Sequence, residues 1–141
     1  ADIVIAAAAV ADYRPRQPMA DKHKKVPGES GMTLDLVENP DILAELSDRQ
    51  PRPFLVGFAA ETGQLEHFAR GKLERKGIDM IAANLVGADR GFDRADNALS
   101  VYWRGGSQEL PQQSKQSLAT RLLELIAQRY RSRDSERREA S

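Results

Sequence analysis

Apolar positions along the chain fall into short clusters with two different periods. Ile3-Val4-Ile5, Phe54-Leu55-Val56-Gly57-Phe58-Ala59-Ala60 and Ile78-Asp79-Met80-Ile81-Ala82-Ala83 are nearly continuous apolar runs bounded by small or turn-forming residues, the pattern of buried parallel strands. Between the second and third runs, Leu65, Phe68, Ala69 and Leu73 recur at helical spacing from Gln64 to Lys76, and Gly77 stops the pattern. Strand, helix, strand in this order predicts a right-handed βαβ crossover. Met32 to Val37 alternates apolar and polar residues, which predicts a half-buried strand. Asn39-Pro40-Asp41-Ile42-Leu43 then opens a helix to about Ser47, with Asn39 placed as N-cap and Pro40 at the first helical position. Ala98–Trp103 and Ser107–Leu110 flank Arg104-Gly105-Gly106 and predict an antiparallel hairpin at the sheet edge. Leu118, Leu122, Leu125 and Ile126 form the buried stripe of a helix from Ser114 to about Tyr130.

Two segments lack such a pattern. Residues 13–31 carry Arg14-Pro15, Pro18, Lys22-His23-Lys24-Lys25, Pro27-Gly28 and Gly31, a run of chain-breaking residues that reads as a lid bearing Lys22. Residues 131–141 have no apolar face and read as a charged tail that frays into disorder. No internal repeat or second domain is visible.

Composition narrows the function classes. Lysine plus arginine balance aspartate plus glutamate at 21 each among 141 residues, which argues against a general nucleic-acid or membrane-surface binder. Without cysteine there is no disulfide, thiolate metal site or cysteine nucleophile, and His23 and His67 have no metal-ligand spacing. No apolar run approaches the roughly 20 residues of a membrane helix, and the N-terminus does not read as a signal peptide. A cytoplasmic setting is the expectation. The first residues read as the interior of a domain.

Candidate chemistry gathers where the first strand ends. In open α/β sheets ligands sit beyond the carboxyl ends of the strands. The alanines from Ala6 to Ala9 would let a ligand approach the backbone, Asp12 adds a hard carboxylate suited to Mg²⁺, and Lys22 adds a mobile charge for phosphates. The same residues also suit a packed turn, a turn aspartate and a solvated lysine cluster, so both readings stand on the residues alone. Lys72 and Lys76, four apart near a helix C-terminus, read as dipole-complementing surface lysines.

Taken in order, Ala8-Ala9-Val10-Ala11-Asp12-Tyr13-Arg14, the K-x-K-K run from Lys22, Asn39-Pro40-Asp41-Ile42, Val56-Gly57-Phe58-Ala59-Ala60-Glu61-Thr62, Lys72 with Lys76, Ala83-Asn84 and Gly91-Phe92 resemble the bacterial phosphopantothenate-cysteine ligases, also called phosphopantothenoylcysteine synthetases. The similarity covers residues 1 to about 130, taken as the ligase domain. It implies an α/β, Rossmann-like (ribokinase-related) three-layer sandwich with a mostly parallel sheet and an antiparallel C-terminal hairpin. It also implies a coenzyme A pathway reaction in which CTP converts the 4′-phosphopantothenate carboxylate into an acyl-cytidylate and cysteine displaces CMP.

By position, the resemblance makes Lys22 the essential lid lysine. It assigns nucleotide contacts to Ala6, Ala7, Ala8, Asp12, Lys22, Pro40, Asp41, Ile42, Leu43, Phe58, Lys72 and Lys76, with Asp12 the candidate metal ligand. On that ground the two helix lysines change from surface to site. No residue is assigned to substrate binding. The implied cofactor is Mg²⁺, with CTP as co-substrate; FMN belongs only to a decarboxylase domain that is fused to the ligase in many bacteria and is absent here. The implied partners are 4′-phosphopantothenate, cysteine and a second copy in a homodimer, the hairpin being the candidate edge, with no nucleic acid or membrane. Family members begin with a strand, a glycine-rich loop and an asparagine that this sequence lacks, and Leu85 stands where they commonly have aspartate. The expectation is a chain that carries most of the nucleotide site and is catalytically incomplete alone. The alternatives are a non-catalytic nucleotide-binding or flavin-associated module and, below it, an NAD(P)-binding fragment, for which the G-x-G-x-x-G signature is absent.

Overall fold

The computed structural model describes residues 1–21, 24, 28, 30–85 and 96–139. Along the chain they form β1 (Ile3–Ala6), β2 (Tyr13–Pro15), β3 (Leu36–Glu38), α1 (Ile42–Ser47), β4 (Phe54–Glu61), α2 (Leu65–Arg75), β5 (Met80–Leu85), β6 (Asp96–Trp103), β7 (Gly106–Ser114) and α3 (Lys115–Glu139). These elements divide between two units, Ala1–Ala8 with Ile42–Ser141, and Ala9–Asp41.

In the larger unit, five strands pair in the order β1-β4-β5-β6-β7. β1, β4 and β5 run parallel to one another; β6 is antiparallel to β5, and β7 to β6. Alternation along β4 explains the layering, because successive side chains of a strand point to opposite faces. Phe54 and Val56 join Met80, Ala82, Leu99, Val101 and Leu110 beneath Leu118, Leu122, Leu125 and Ile126 of α3. Leu55 and Ala59 join Ile78, Ile81, Ala83 and Tyr102 beneath Ala69 and Leu73 of α2, with Leu43 and Leu46 of α1 packed alongside. The fold is therefore helix, mixed sheet, helix, the α/β sandwich expected. Leu55, Val56, Met80, Ile81, Leu110 and Val101 are fully buried, each contributing roughly 1.5–3 kcal/mol of apolar burial.

Two glycines fit their local geometry. Gly77 has φ +61, the left-handed conformation that ends α2 before β5. A Cβ on Gly57 would lie 2.9 Å from Ile78 Cδ1 and 3.3 Å from Leu43 Cδ1, so its absence lets both side chains close on the sheet.

Several elements depart from the sequence reading. β1 is an edge strand, so Ile3 and Val4 are half-buried and Ile5 is exposed rather than enclosed. On α2 the buried stripe is Ala69 and Leu73 with Leu65 at its margin; Phe68 is 47% exposed and packs edge-on against His67 with ring centroids 5.5 Å apart. The hairpin is longer at both ends than the apolar run suggested, turning at Arg104-Gly105 with Gly105 at φ +80.

The largest difference is at the C-terminus, where α3 continues from Tyr130 to Glu139 instead of fraying. Ser114 Oγ accepts the Ser117 N–H at 3.2 Å at its start. Past Tyr130 the helix has no apolar stripe, but Arg133 takes that place: its guanidinium lies 4.9 Å from the Phe54 ring centroid and 5.8 Å from that of Tyr130. Arginine covers aromatic faces with a cation that apolar periodicity does not register. Tyr130 in turn meets Phe54 edge-on at 5.9 Å.

The smaller unit contains the two-stranded antiparallel ribbon β2-β3, with Tyr13 opposite Glu38, Arg14 opposite Val37 and Pro15 opposite Leu36. The loop reading of Tyr13–Pro15 is thus corrected to a strand. The half-buried strand expected over residues 32–37 shrinks to Leu36–Glu38, and Met32, Leu34 and Leu36 are exposed. Arg16 backs the ribbon from outside, its Nε 2.7 Å from Asp35 Oδ2.

Candidate functional site

In the larger unit β4 and β5 end together, and β1 ends opposite Gly57, four residues before the end of β4. Ala6 at the end of β1 stands opposite Gly57, Phe58 opposite Ala82, and Glu61 at the end of β4 opposite Leu85 at the end of β5. Ala7 and Ala8 leave this edge exposed. Phe58 follows Phe54 and Val56 on the α3 face of the sheet, yet it is 39% exposed. It is an open aromatic face at the mouth of an otherwise closed core. On the α2 face of the same edge, Lys72 Nζ donates to Glu61 Oε1 at 2.7 Å. Side-chain exposures of 35% for Lys72 and 16% for Glu61 put the ammonium at the rim and the carboxylate beneath it.

Lys76 has a different backbone position. It closes α2, its N–H bonded to the Lys72 carbonyl at 3.0 Å, and stands four residues before β5 starts. A helix of 11 residues is about 16 Å long, so the Lys76 backbone lies toward the end of the sheet where β5 begins. These strand ends therefore gather Ala6, Ala7, Ala8, Phe58 and Lys72, and the Lys76 backbone lies one helical turn further along α2.

Ile42 and Leu43 open α1, which begins two residues later than the sequence suggests. Leu43 packs into the α2-side core and Ile42 is exposed. Pro40 and Asp41 precede the helix and belong to the smaller unit.

There the expected cap is replaced by a different arrangement. Asn39 does not cap α1; its Nδ2 donates to the Ala11 carbonyl at 2.6 Å and its Oδ1 accepts from Arg14 Nη1 at 2.8 Å. Its backbone N–H donates to the Asp12 carbonyl at 2.8 Å, and Arg14 Nη1 also reaches the Glu38 carbonyl at 2.9 Å. An amide side chain offers both donor and acceptor, and here both are spent fastening the turn that carries Asp12. The Asp12 side chain itself is exposed. Lys22 and the Gly91-Phe92 segment lie outside the described residues, as does most of the K-x-K-K run.

A second charged cluster, not anticipated from the sequence, lies at the start of β5. Asp79 accepts two bonds from Arg52 Nη1 (3.0 and 2.9 Å), two longer ones from Arg133 Nη1 (3.3 Å each) and the Leu55 N–H at 2.8 Å. Arg52 Nη2 also donates to the Gly77 carbonyl. The three residues are separated in sequence by 27 and 54 positions, and no local motif announces them. Among the described residues, no three His, Asp or Glu side chains gather where they could hold a metal ion, and no helix is long and apolar enough to cross a membrane.

The layered sheet defines the class: a three-layer α/β domain whose parallel strands point their carboxyl ends the same way, toward the side where such domains take their ligands. Residues 1–130 match the model of the DNA/pantothenate metabolism flavoprotein C-terminal domain, and the chain belongs to that family. The Coenzyme A biosynthesis bifunctional protein CoaBC of Vibrio cholerae is 48% identical over 126 residues, covering 88% of this chain and 32% of the relative. CoaBC of Escherichia coli K12 is 42% identical over 132 residues, covering 92% and 32%. The chain thus spans about a third of the length of these curated relatives. Among solved structures, the crystal structure of the C-terminal domain of CoaBC superposes with a TM-score of 0.66 at 33% identity, covering 89% of this chain and 53% of that one.

Proposed function

We propose that this domain is a CTP-dependent acid–amino acid ligase, joining 4′-phosphopantothenate to cysteine in coenzyme A biosynthesis. The observation that carries the reading is the match of residues 1–130 to the C-terminal family domain, together with CoaBC relatives at 42–48% identity. The strand-end geometry is compatible with it. The exposed alanines give a ligand access to backbone groups, Phe58 offers a face for a base, and Lys72 offers charge for phosphate oxygens.

The chemistry needs such groups. A carboxylate is a poor electrophile at neutral pH. Attack of its oxygen on the α-phosphorus of CTP breaks the bond to the β-phosphate, giving an acyl-cytidylate and pyrophosphate. The cysteine amine then attacks the acyl carbon, the bond to CMP breaks, and the amine loses its proton to give a neutral amide. Lysines at the nucleotide stabilise the charge that grows on the departing pyrophosphate, and Lys22 is the residue assigned to acyl-cytidylate formation. Asp12 is a single exposed carboxylate, which suits Mg²⁺ brought in with nucleotide phosphates better than a metal held by protein alone. Bound there, Mg²⁺ would supply further charge neutralisation.

Two copies of the chain are proposed to pair. Val10, Tyr13, Met19, Met32, Leu34 and Leu36 are all exposed within Ala9–Asp41, a dense apolar display for so small a unit. The free edge of the hairpin instead carries Pro111, an edge-protecting residue.

The test is a two-stage assay with CTP and Mg²⁺, using a version that also carries the glycine-rich loop and asparagine upstream of Ala1. Pyrophosphate release that requires 4′-phosphopantothenate, followed by CMP release that requires cysteine, is the expected result. Nucleotide bound without either release would favour the non-catalytic module.

A further inference from the structure

We infer that Glu61 is a positioning residue for Lys72, holding its ammonium at the nucleotide edge; the inference rests on the proposed nucleotide role of that lysine. A lysine side chain is a flexible four-carbon stem, and one near the surface ordinarily spreads over many rotamers. Lys72 is placed instead by a 2.7 Å bond from Nζ to Glu61 Oε1. Glu61 is well suited to hold it. It is the last residue of β4, paired with the end of β5, and its side chain is only 16% exposed. The carboxylate is therefore fixed by the sheet rather than by a mobile loop.

Geometry leaves the lysine usable. An ammonium has three donors, and the Glu61 bond occupies one. Among the described residues no other acceptor takes the remaining two, which can meet oxygens arriving at the rim, where the Lys72 side chain is 35% exposed. Two electrostatic effects then compete. Glu61 repels an incoming phosphate, but across the lysine head and with water at the rim that repulsion is screened. Losing the carboxylate, in contrast, releases the whole side chain, and binding would have to order it again. Ordering wins, so removing Glu61 weakens nucleotide binding although it also removes a negative charge.

The experiment is calorimetry of CTP with Mg²⁺ on the wild type and on Glu61→Ala, Glu61→Gln, Lys72→Ala and the Glu61→Ala/Lys72→Ala pair, with circular dichroism to establish that each is folded. Lys72→Ala and Glu61→Ala should each weaken CTP about tenfold, the size of one charge-assisted contact. The double variant should lose no more than either single one, because both changes abolish the same contact. Glu61→Gln keeps an acceptor oxygen in place and should recover binding to within about threefold of wild type. A purely structural role for Glu61 would give neither the coupling nor the rescue. Glu61→Ala binding as well as wild type, or tighter, while Lys72→Ala binds weakly, would overturn the inference and leave the ligase reading intact. Fully additive losses in the double variant would overturn it as well. A folded wild type that carries the upstream glycine-rich loop and still does not bind CTP would remove the nucleotide reading and this inference with it.

Discussion

Replacing Asp79 with alanine should destabilise the domain more than any other single surface-proximal change, and the structure sets the magnitude. Asp79 is 14% exposed, and its carboxylate accepts from Arg52, Arg133 and the Leu55 backbone. Alanine would leave the Leu55 N–H without this partner beneath the sheet, which costs about 1 kcal/mol or more. It would also leave two guanidiniums, each less than a fifth exposed, without their shared carboxylate. Breaking a fully buried ion pair costs about 3–5 kcal/mol. Residual solvent access and the long 3.3 Å bonds to Arg133 lower that figure. The net expectation is about 3 kcal/mol, or roughly 10 °C in Tm for a chain of this size. Urea unfolding followed by circular dichroism reads it directly: the midpoint should fall with an unchanged slope. Asp79→Asn retains an acceptor for Leu55 and should lose less. A shift below about 1 kcal/mol for Asp79→Ala would refute the reasoning, showing that the cluster behaves as a solvated surface network.

Three further outcomes are expected. Asn39→Ala removes the bonds to Ala11 and Arg14 that fasten the Asp12 turn, so amide hydrogen exchange should quicken within Ala9–Asp41 while β4 and β5 keep their protection; unchanged exchange there would count against the role given to Asn39. Gly57→Ala places a methyl 2.9 Å from Ile78 Cδ1, and because the opposing atoms are side-chain ends that can shift, the cost should be about 1–2 kcal/mol in urea unfolding. Lys22→Gln should abolish pyrophosphate release with the melting temperature unchanged; retained release would remove Lys22 from the chemistry.

The sequence made the larger unit legible because its elements are governed by burial. β4, α2, β5 and the Leu118–Ile126 stripe lie where apolar periodicity places them. It failed where other interactions govern. Residues 131–139 look like a solvated tail by hydropathy, yet Arg133 packs on Phe54 and Tyr130 and bonds Asp79, so the helix extends through them. Asn39 followed by Pro40 has the form of a helix start, but the asparagine spends its amide on Ala11 and Arg14, and the helix opens at Ile42. The ribbon β2-β3 joins segments more than twenty positions apart with little burial: the alternation of Met32 to Val37 reaches only the start of β3, and Tyr13–Pro15 has none that would reveal β2.

For the candidate site, strand ends and small residues could be read directly. The Glu61–Lys72 pair could not, because it joins a strand end to the last turn of the following helix. Each residue has an ordinary local explanation, as the end of a strand and as a dipole-complementing lysine. Only their 2.7 Å approach sets them apart.

The most direct test of the account is CTP binding to the folded protein by calorimetry with Mg²⁺, with ATP as control. Saturable binding of CTP, weaker or undetectable binding of ATP, and CTP binding weakened about tenfold in Lys72→Ala are expected. Equal binding of the two nucleotides, or no binding of CTP by a folded protein carrying the upstream glycine-rich loop, would contradict it.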